Sequence, residues 1–90
     1  ATYLVEARVR FAIGDWCAGK QAWLDLVVNT GAIRLHTVTI AAGGVQSVEL
    51  VGTTTLQVPP TAVLHLSAQS NDTTALSRVI DLAWIKITRI

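Results

Sequence analysis

The feature that most constrains this chain is an alternation of apolar and polar residues, repeated in short runs along most of its length. The rest of the chain is organised around the stretch Val45–Gln69, which contains two such runs on either side of Pro59-Pro60. Proline cannot donate a backbone hydrogen bond, so two in succession force a turn or a sheet edge. A period of two with many β-branched residues predicts two half-buried strands, paired antiparallel with each other.

Four further segments alternate in the same way: Thr2–Ile13, Gln21–Asn29, Ala32–Ala41 and Val79–Ile90. Turn signals separate the runs, namely the loop Gly14–Lys20, the tripeptide Asn29-Thr30-Gly31, the pair Gly43-Gly44 and the polar loop Ser70–Ser77. No window keeps a helical period over three turns. Strands at about ten-residue spacing predict an all-β fold, a compact antiparallel β-sandwich or a barrel, formed as one domain by residues 1–90.

The first and last predicted strands differ in the polarity of their two faces. Thr2–Ile13 sets apolar residues against charged ones, which predicts a strand with one solvated side. Val79–Ile90 is apolar on both parities, which predicts a strand in the middle of a sheet or at a subunit seam. On this interpretation we expect truncation of Trp84 to cost about 3–5 kcal/mol, and truncation of Trp16 far less.

The composition indicates association between copies of the chain. Hydrophobic residues make up 51% of it and charged residues 14%, whereas the surface of a small soluble monomer is about a quarter charged or more. The longest uncharged run, Leu35–Val48, contains a histidine, a glutamine and threonines, so membrane insertion is not expected. The net charge of +1 without clustering argues against nucleic acid as a partner. One cysteine provides neither a disulfide framework nor a metal-ligand pair, and no cofactor is expected.

The order of the strands resembles a known family. The resemblance rests on five segments of this chain: TYLVEARVRF, a strand ending in VVN, VGTTTLQV, AVLHLSAQ and the terminal LAWIKITRI. Together they resemble the tumour-necrosis-factor-like and complement-head-like jelly-roll domains of phage tail-fibre heads and bacterial collagen-like filament tips. The resemblance implies a jelly-roll sandwich, a homotrimer and a place outside the cell or on a virion surface.

Two departures from that family stand out. Pro59-Pro60-Thr61 occupies a loop that usually carries Gly-Asp, and the strand that normally precedes TYLV is missing. The second departure and the absent initiating methionine lead us to expect a fragment of a longer chain. No binding residue carries over from the family, because its ligand sites lie in variable loops.

Two loops contain the candidate ligand-binding residues. Trp16 lies beside Asp15 and near Lys20, and an exposed indole next to a carboxylate suits a pyranose ring; the alternative is that Trp16 packs over the end of the sandwich. Asn71 and Asp72 belong to a polar tip with Thr73 and Thr74. That tip could bind a sugar, but a solvated turn is the simpler interpretation, since one carboxylate is too few for calcium.

Catalysis is not expected. His36 and His65 lie in predicted strands without partners at ligand spacing, so we interpret them as packed or interface residues. No nucleophile elbow accompanies the serines. The residues expected at an oligomer interface are Tyr3, His65 and Trp84. The sequence therefore favours a non-enzymatic structural and recognition module, with a small carbohydrate-binding lectin as the alternative and a cell-surface glycan or a virion or fibre protein as the partner.

Overall fold

The structure, a computed structural model, describes residues 1–72 and 78–90. It contains six strands: β1 (Thr2–Trp16), β2 (Gln21–Val28), β3 (Gly31–Thr39), β4 (Gly44–Gln57), β5 (Leu64–Ser70) and β6 (Ile80–Arg89). They form two antiparallel sheets, one in the order β4-β1-β6 and the other in the order β3-β2-β5. The all-β, two-sheet architecture predicted from the alternation is confirmed. Within the described residues, no helix is long and apolar enough to cross a membrane.

The core lies between the two central strands. The inward side of β1 and the facing side of β2 are almost completely buried, through Val5, Ala7, Val9, Phe11, Ala22, Leu24 and Leu26. Val48, Leu50 and Leu56 of β4 close the same core. The opposite side of β1 carries its charged residues, so its predicted one-sided character is confirmed.

The predicted pairing of the two runs in Val45–Gln69 is wrong. β4 pairs with β1 and β5 pairs with β2, so the two runs lie in different sheets. The proline turn does form, with the Ala62 N–H donating to the Pro59 carbonyl at 3.0 Å, but it carries the chain across the sandwich. Strand length explains the choice: β4 has 14 residues and β1 has 15, whereas β5 has 7. A ladder between β4 and β5 would leave half of the backbone groups of β4 unpaired.

The terminal strand is not in the middle of a sheet. β6 is an edge strand and β1 is the central one. In the described part of the chain, β2 and β3 approach the first sheet mainly at β4, whereas the close neighbour of β6 is β1. Several apolar residues of β6 therefore stay exposed. Ile85 stands beside Ala7 and Ile87 beside Val5 on the core-facing side, yet 38% and 48% of their surfaces are exposed. A strand that is apolar on both faces can therefore lie at the edge of a sheet with those faces exposed. The apolar pattern of Val79–Ile90 did not by itself determine either its position in the sheet or its burial.

The sheets meet closely where β3 crosses β4. A Cβ atom added at Gly52 would lie 2.6 Å from Leu35 Cβ and 3.0 Å from the Leu35 carbonyl oxygen. The neighbouring Val51 N–H points away from β1 and donates to His36 Nδ1 at 3.0 Å. β3 therefore shields part of the outer edge of β4.

The predicted turn at Asn29 is confirmed, and it joins β2 to β3. Asn29 has a φ of 52°, in the left-handed region that asparagine tolerates. Its side-chain oxygen accepts the Val63 N–H at 3.0 Å, and its own N–H donates to the Val63 carbonyl at 2.8 Å. The same residue thus forms the hairpin turn and holds the segment that enters β5.

Candidate functional site

The two loops that hold the candidate ligand-binding residues meet at one end of the sandwich, which we call the loop end. β1 extends to Trp16, so Asp15 and Trp16 belong to a strand and not to the predicted loop. The Cys17 N–H donates to Asp72 Oδ2 at 2.8 Å, which joins the loop after β1 to the segment after β5. Nearby, the Gln21 N–H donates to Asn71 Oδ1 at 2.8 Å.

An arginine that the sequence analysis did not single out organises the loop end. The Cζ atom of Arg78 lies 3.7 Å from the centroid of the Trp16 ring, and its Nη2 lies 3.3 Å from Asp72 Oδ2. Its Nη1 donates to the Asp15 carbonyl at 2.8 Å. A single arginine after a polar loop with a single carboxylate was the available signal, but only the fold shows that this arginine contacts both the carboxylate and the indole.

Trp16 is a lid and not an exposed platform. Only 1% of its surface is exposed, and its ring packs edge-on against Phe11 with the centroids 5.5 Å apart. Stacking of a pyranose requires an accessible ring face, and Arg78 occupies one face of this indole. Trp16 therefore packs over the end of the sandwich, as the alternative interpretation of its sequence position stated, and does not offer a ring face to a sugar.

The other candidate ligand-binding residues differ in burial: three of them are exposed to solvent and one is buried. Asp15 and Lys20 are exposed, as is Asn71, whose amide oxygen accepts a backbone N–H. The carboxylate of Asp72 is turned inward and is buried. Thr73 and Thr74 lie outside the described residues. The loop end therefore presents Asp15 and Lys20 to solvent, while Asp72 holds the two loops together.

The histidines lie far from any cluster of ligating side chains. His36, on β3, is half-buried and accepts the Val51 N–H, whereas His65 is exposed on β5. In the part of the chain that the structure describes, no three histidine, cysteine or carboxylate side chains are grouped as metal ligands. The structure thus assigns His36 a role in joining the two sheets.

An exposed apolar surface follows β6 and is here called the β6 strip. Its residues have between 38% and 72% of their surfaces exposed and are Val79, Ile80, Trp84, Ile85, Ile87 and Ile90. Aliphatic residues on both sides of an edge strand are unusual, because soluble proteins normally protect such edges with charges, prolines or short strands. Contiguous apolar surface of this kind marks an interaction site.

Beside the strip, the outer face of the first sheet is charged. Arg8 pairs with Glu49 and Arg10 with Asp81, so β1 is tied to both of its neighbours. The hydrogen bond with Asp81 raises the pKa of Arg10 above its usual value.

A shallow depression of about 310 Å³ lies on this outer face, next to those ion pairs. Its lining includes Trp84, Glu6 and Thr53. Trp84 is 40% exposed. The depression thus combines an accessible aromatic ring with a carboxylate and a hydroxyl group.

An apolar cleft opens at the other end of the sandwich. It has a volume of about 160 Å³ and lies between the ends of β5 and β6, where Leu64 faces Ile87 and Tyr3. Tyr3, expected at an oligomer interface, is half-buried here. Because Ile87 lines it, the cleft adjoins the β6 strip.

Comparisons with known proteins add no assignment: no family model matches the chain, and searches of curated proteins and of solved structures give no significant match.

Proposed function

We propose that this chain is a non-enzymatic structural and recognition module, a jelly-roll-like head of a fibre or a decoration domain on a virion or cell surface, whose copies associate. The observation that supports it is the β6 strip. A domain of 90 residues buries little apolar surface, and this one leaves six large aliphatic or aromatic side chains of one segment in solvent. Covering that strip with another copy removes the surface from water, which is the main favourable term in association.

The homotrimer implied by the resemblance is one way to cover the strip. What the proposal requires is association of copies, whatever their number. Fibre heads and decoration domains function as assemblies at a surface, so a self-associating two-sheet β domain suits that role.

Sedimentation velocity over a range of micromolar concentrations tests this proposal. We expect an oligomer for the native chain and weaker association for Trp84→Ala and Ile87→Thr, because both side chains belong to the strip. Val45→Thr is the matched control, since Val45 is 73% exposed but lies on β4, away from the strip. A folded monomer at every concentration would overturn the proposal.

Glycan binding is a second candidate, and the depression beside Trp84 favours it. The ring could take the apolar face of a pyranose while Glu6 and Thr53 bind its hydroxyl groups. In this second proposal the sugar binds on a sheet face, whereas the sequence candidates lie at the loop end.

A glycan array followed by calorimetry on Glu6→Gln checks the second candidate. Loss of sugar binding without loss of association supports the depression as the site. Binding that survives Glu6→Gln and disappears on Asp15→Asn or Lys20→Gln would return the site to the loop end.

A further inference from the structure

We propose that β6 pairs antiparallel with β6 of a second copy across a twofold axis at Ile85, which joins two three-stranded sheets into one. The inference rests on the proposed association of copies and names its geometry. Four properties of the chain support it: the free backbone edge, the apolar side chains, the placement of Lys86 in one register, and the shielding of the opposite edge.

Among the described strands, β1 alone pairs with β6, so the outer backbone edge of β6 has no strand beside it. The Ile90 N–H donates to the Thr2 carbonyl at 2.9 Å, so Ile90 directs its backbone groups towards β1. Alternate residues of an antiparallel strand direct their groups to the same side. The residues between, Ala83, Ile85, Ile87 and Arg89, therefore direct their N–H and C=O groups away from the sheet. This is a row of donors and acceptors suited to another strand.

The side chains select a register. An antiparallel partner keeps every residue on its own face only if residues of equal parity stand opposite each other. An axis through Ile85 places Ile85 opposite its own copy and Ala83 opposite Ile87, which joins the apolar side chains of the two strips. On the other face it places Trp84 opposite Lys86 of the second copy, within the range of a cation–π contact.

The charge of Lys86 favours the same register. The axis at Ile85 places Lys86 opposite the ring of Trp84 in the second copy. An axis through Trp84 would instead oppose Lys86 with Leu82. A lysine that faces an aliphatic residue gains no such contact across the strand pair.

The other edge of the first sheet is less accessible. The outward Val51 N–H of β4 already donates to His36 Nδ1, and Leu35 packs against Gly52 there. A second copy thus finds its free ladder at β6 and not at β4. Because a twofold contact uses the same surface on both copies, pairing at β6 closes after two chains.

Disulfide trapping tests the register directly. In a Cys17→Ser background, Ile85→Cys should form an intermolecular disulfide under mild oxidation, because facing Cα atoms of a strand pair lie within the range of a disulfide. Ile87→Cys should not form one, because residue 87 lies two positions from the axis and is therefore four ladder positions away from residue 87 of the second copy. A mixture of Ile87→Cys and Ala83→Cys chains should cross-link as a heterodimer.

A second variant measures the edge hydrogen bonds. Ile85→Pro removes one outward N–H from each copy and, on an edge, leaves the pairing with β1 intact. We expect the dissociation constant to rise about tenfold or more, since two hydrogen bonds are lost per dimer. Circular dichroism of the monomeric fraction verifies that the variant folds.

The outcomes separate the two proposals. A dimer by sedimentation that is trapped at Ile85 supports edge pairing. Trapping at Trp84→Cys in place of Ile85→Cys would overturn the register, and a trimer or larger assembly without trapping at Ile85 would overturn edge pairing while leaving the proposed function. A chain that stays monomeric would overturn both.

Discussion

Two arginines of this chain each contact a carboxylate and a tryptophan, and they differ in burial. Arg78 lies over Trp16 with its side chain 12% exposed, beside an Asp72 side chain that is 0% exposed. Arg34 lies 5.2 Å from the Trp23 centroid and pairs with Asp25, with its side chain 51% exposed. Water competes with the second set of contacts and hardly with the first.

We therefore predict that Arg78→Ala lowers the free energy of unfolding by about 3–5 kcal/mol, because it leaves the carboxylate of Asp72 buried without its cation. Arg34→Ala, the matched control, should cost about 1 kcal/mol or less. Urea denaturation of the two variants measures both values. Equal losses would contradict a structural role for the buried pair.

The tryptophans allow a second comparison at this scale. The sequence analysis expected Trp84→Ala to be the more damaging to folding, and the burial of the two side chains reverses that order. Trp16→Ala should cost about 3–5 kcal/mol at any protein concentration, because it leaves a cavity in the core. Trp84→Ala should mainly weaken association, with a loss that depends on concentration. Thermal melts of both variants at several concentrations distinguish the two effects.

Among the strands, β3 and β4 approach each other closely where they cross between the two sheets. Their crossing depends on Gly52, where a side chain would meet the backbone of Leu35. Backbone atoms cannot rotate away as a flexible side chain can, so the two sheets would have to separate locally.

We predict that Gly52→Ala costs about 1–3 kcal/mol through overpacking. Gly31→Ala is the control: its nearest neighbour would be the Val28 carbonyl oxygen at 3.8 Å, an ordinary contact, and its φ is not in the left-handed region. That variant should be neutral or slightly stabilising, because alanine reduces the entropy of the unfolded chain. Chemical denaturation compares them, and a neutral Gly52→Ala would contradict the close crossing.

The whole molecule is elongated, with extents of 44 × 20 × 19 Å, and one of its sheets has an apolar edge in solvent. The thermal stability of a self-associating protein increases with its concentration, because association draws the folding equilibrium towards the native state. We predict that the Tm rises over a hundredfold range of concentration, by calorimetry. In Ile85→Pro this rise should begin at a concentration about tenfold higher or more, and an unchanged rise there would place the contact elsewhere.

The alternation of residues was enough to predict the strands, their apolar faces and the turn at Asn29. Each of these depends on neighbours in sequence, through the period-two geometry of a strand and the backbone preferences of asparagine and proline. The inward side of β1 and the turn after Pro59 could therefore be read directly from the order of residues.

Only the tertiary structure decided which strands pair, and that choice determines the candidate sites. The partner of β4 depends on which distant strand offers a ladder of equal length, and the position of β6 depends on which edge the second sheet leaves uncovered. Likewise, Arg78 reaches Trp16 because two loops separated by more than fifty residues end at the same side of the sandwich. Local sequence determines the faces of a strand, whereas edges, cation–π contacts and buried ion pairs arise from residues that only the folded chain brings together.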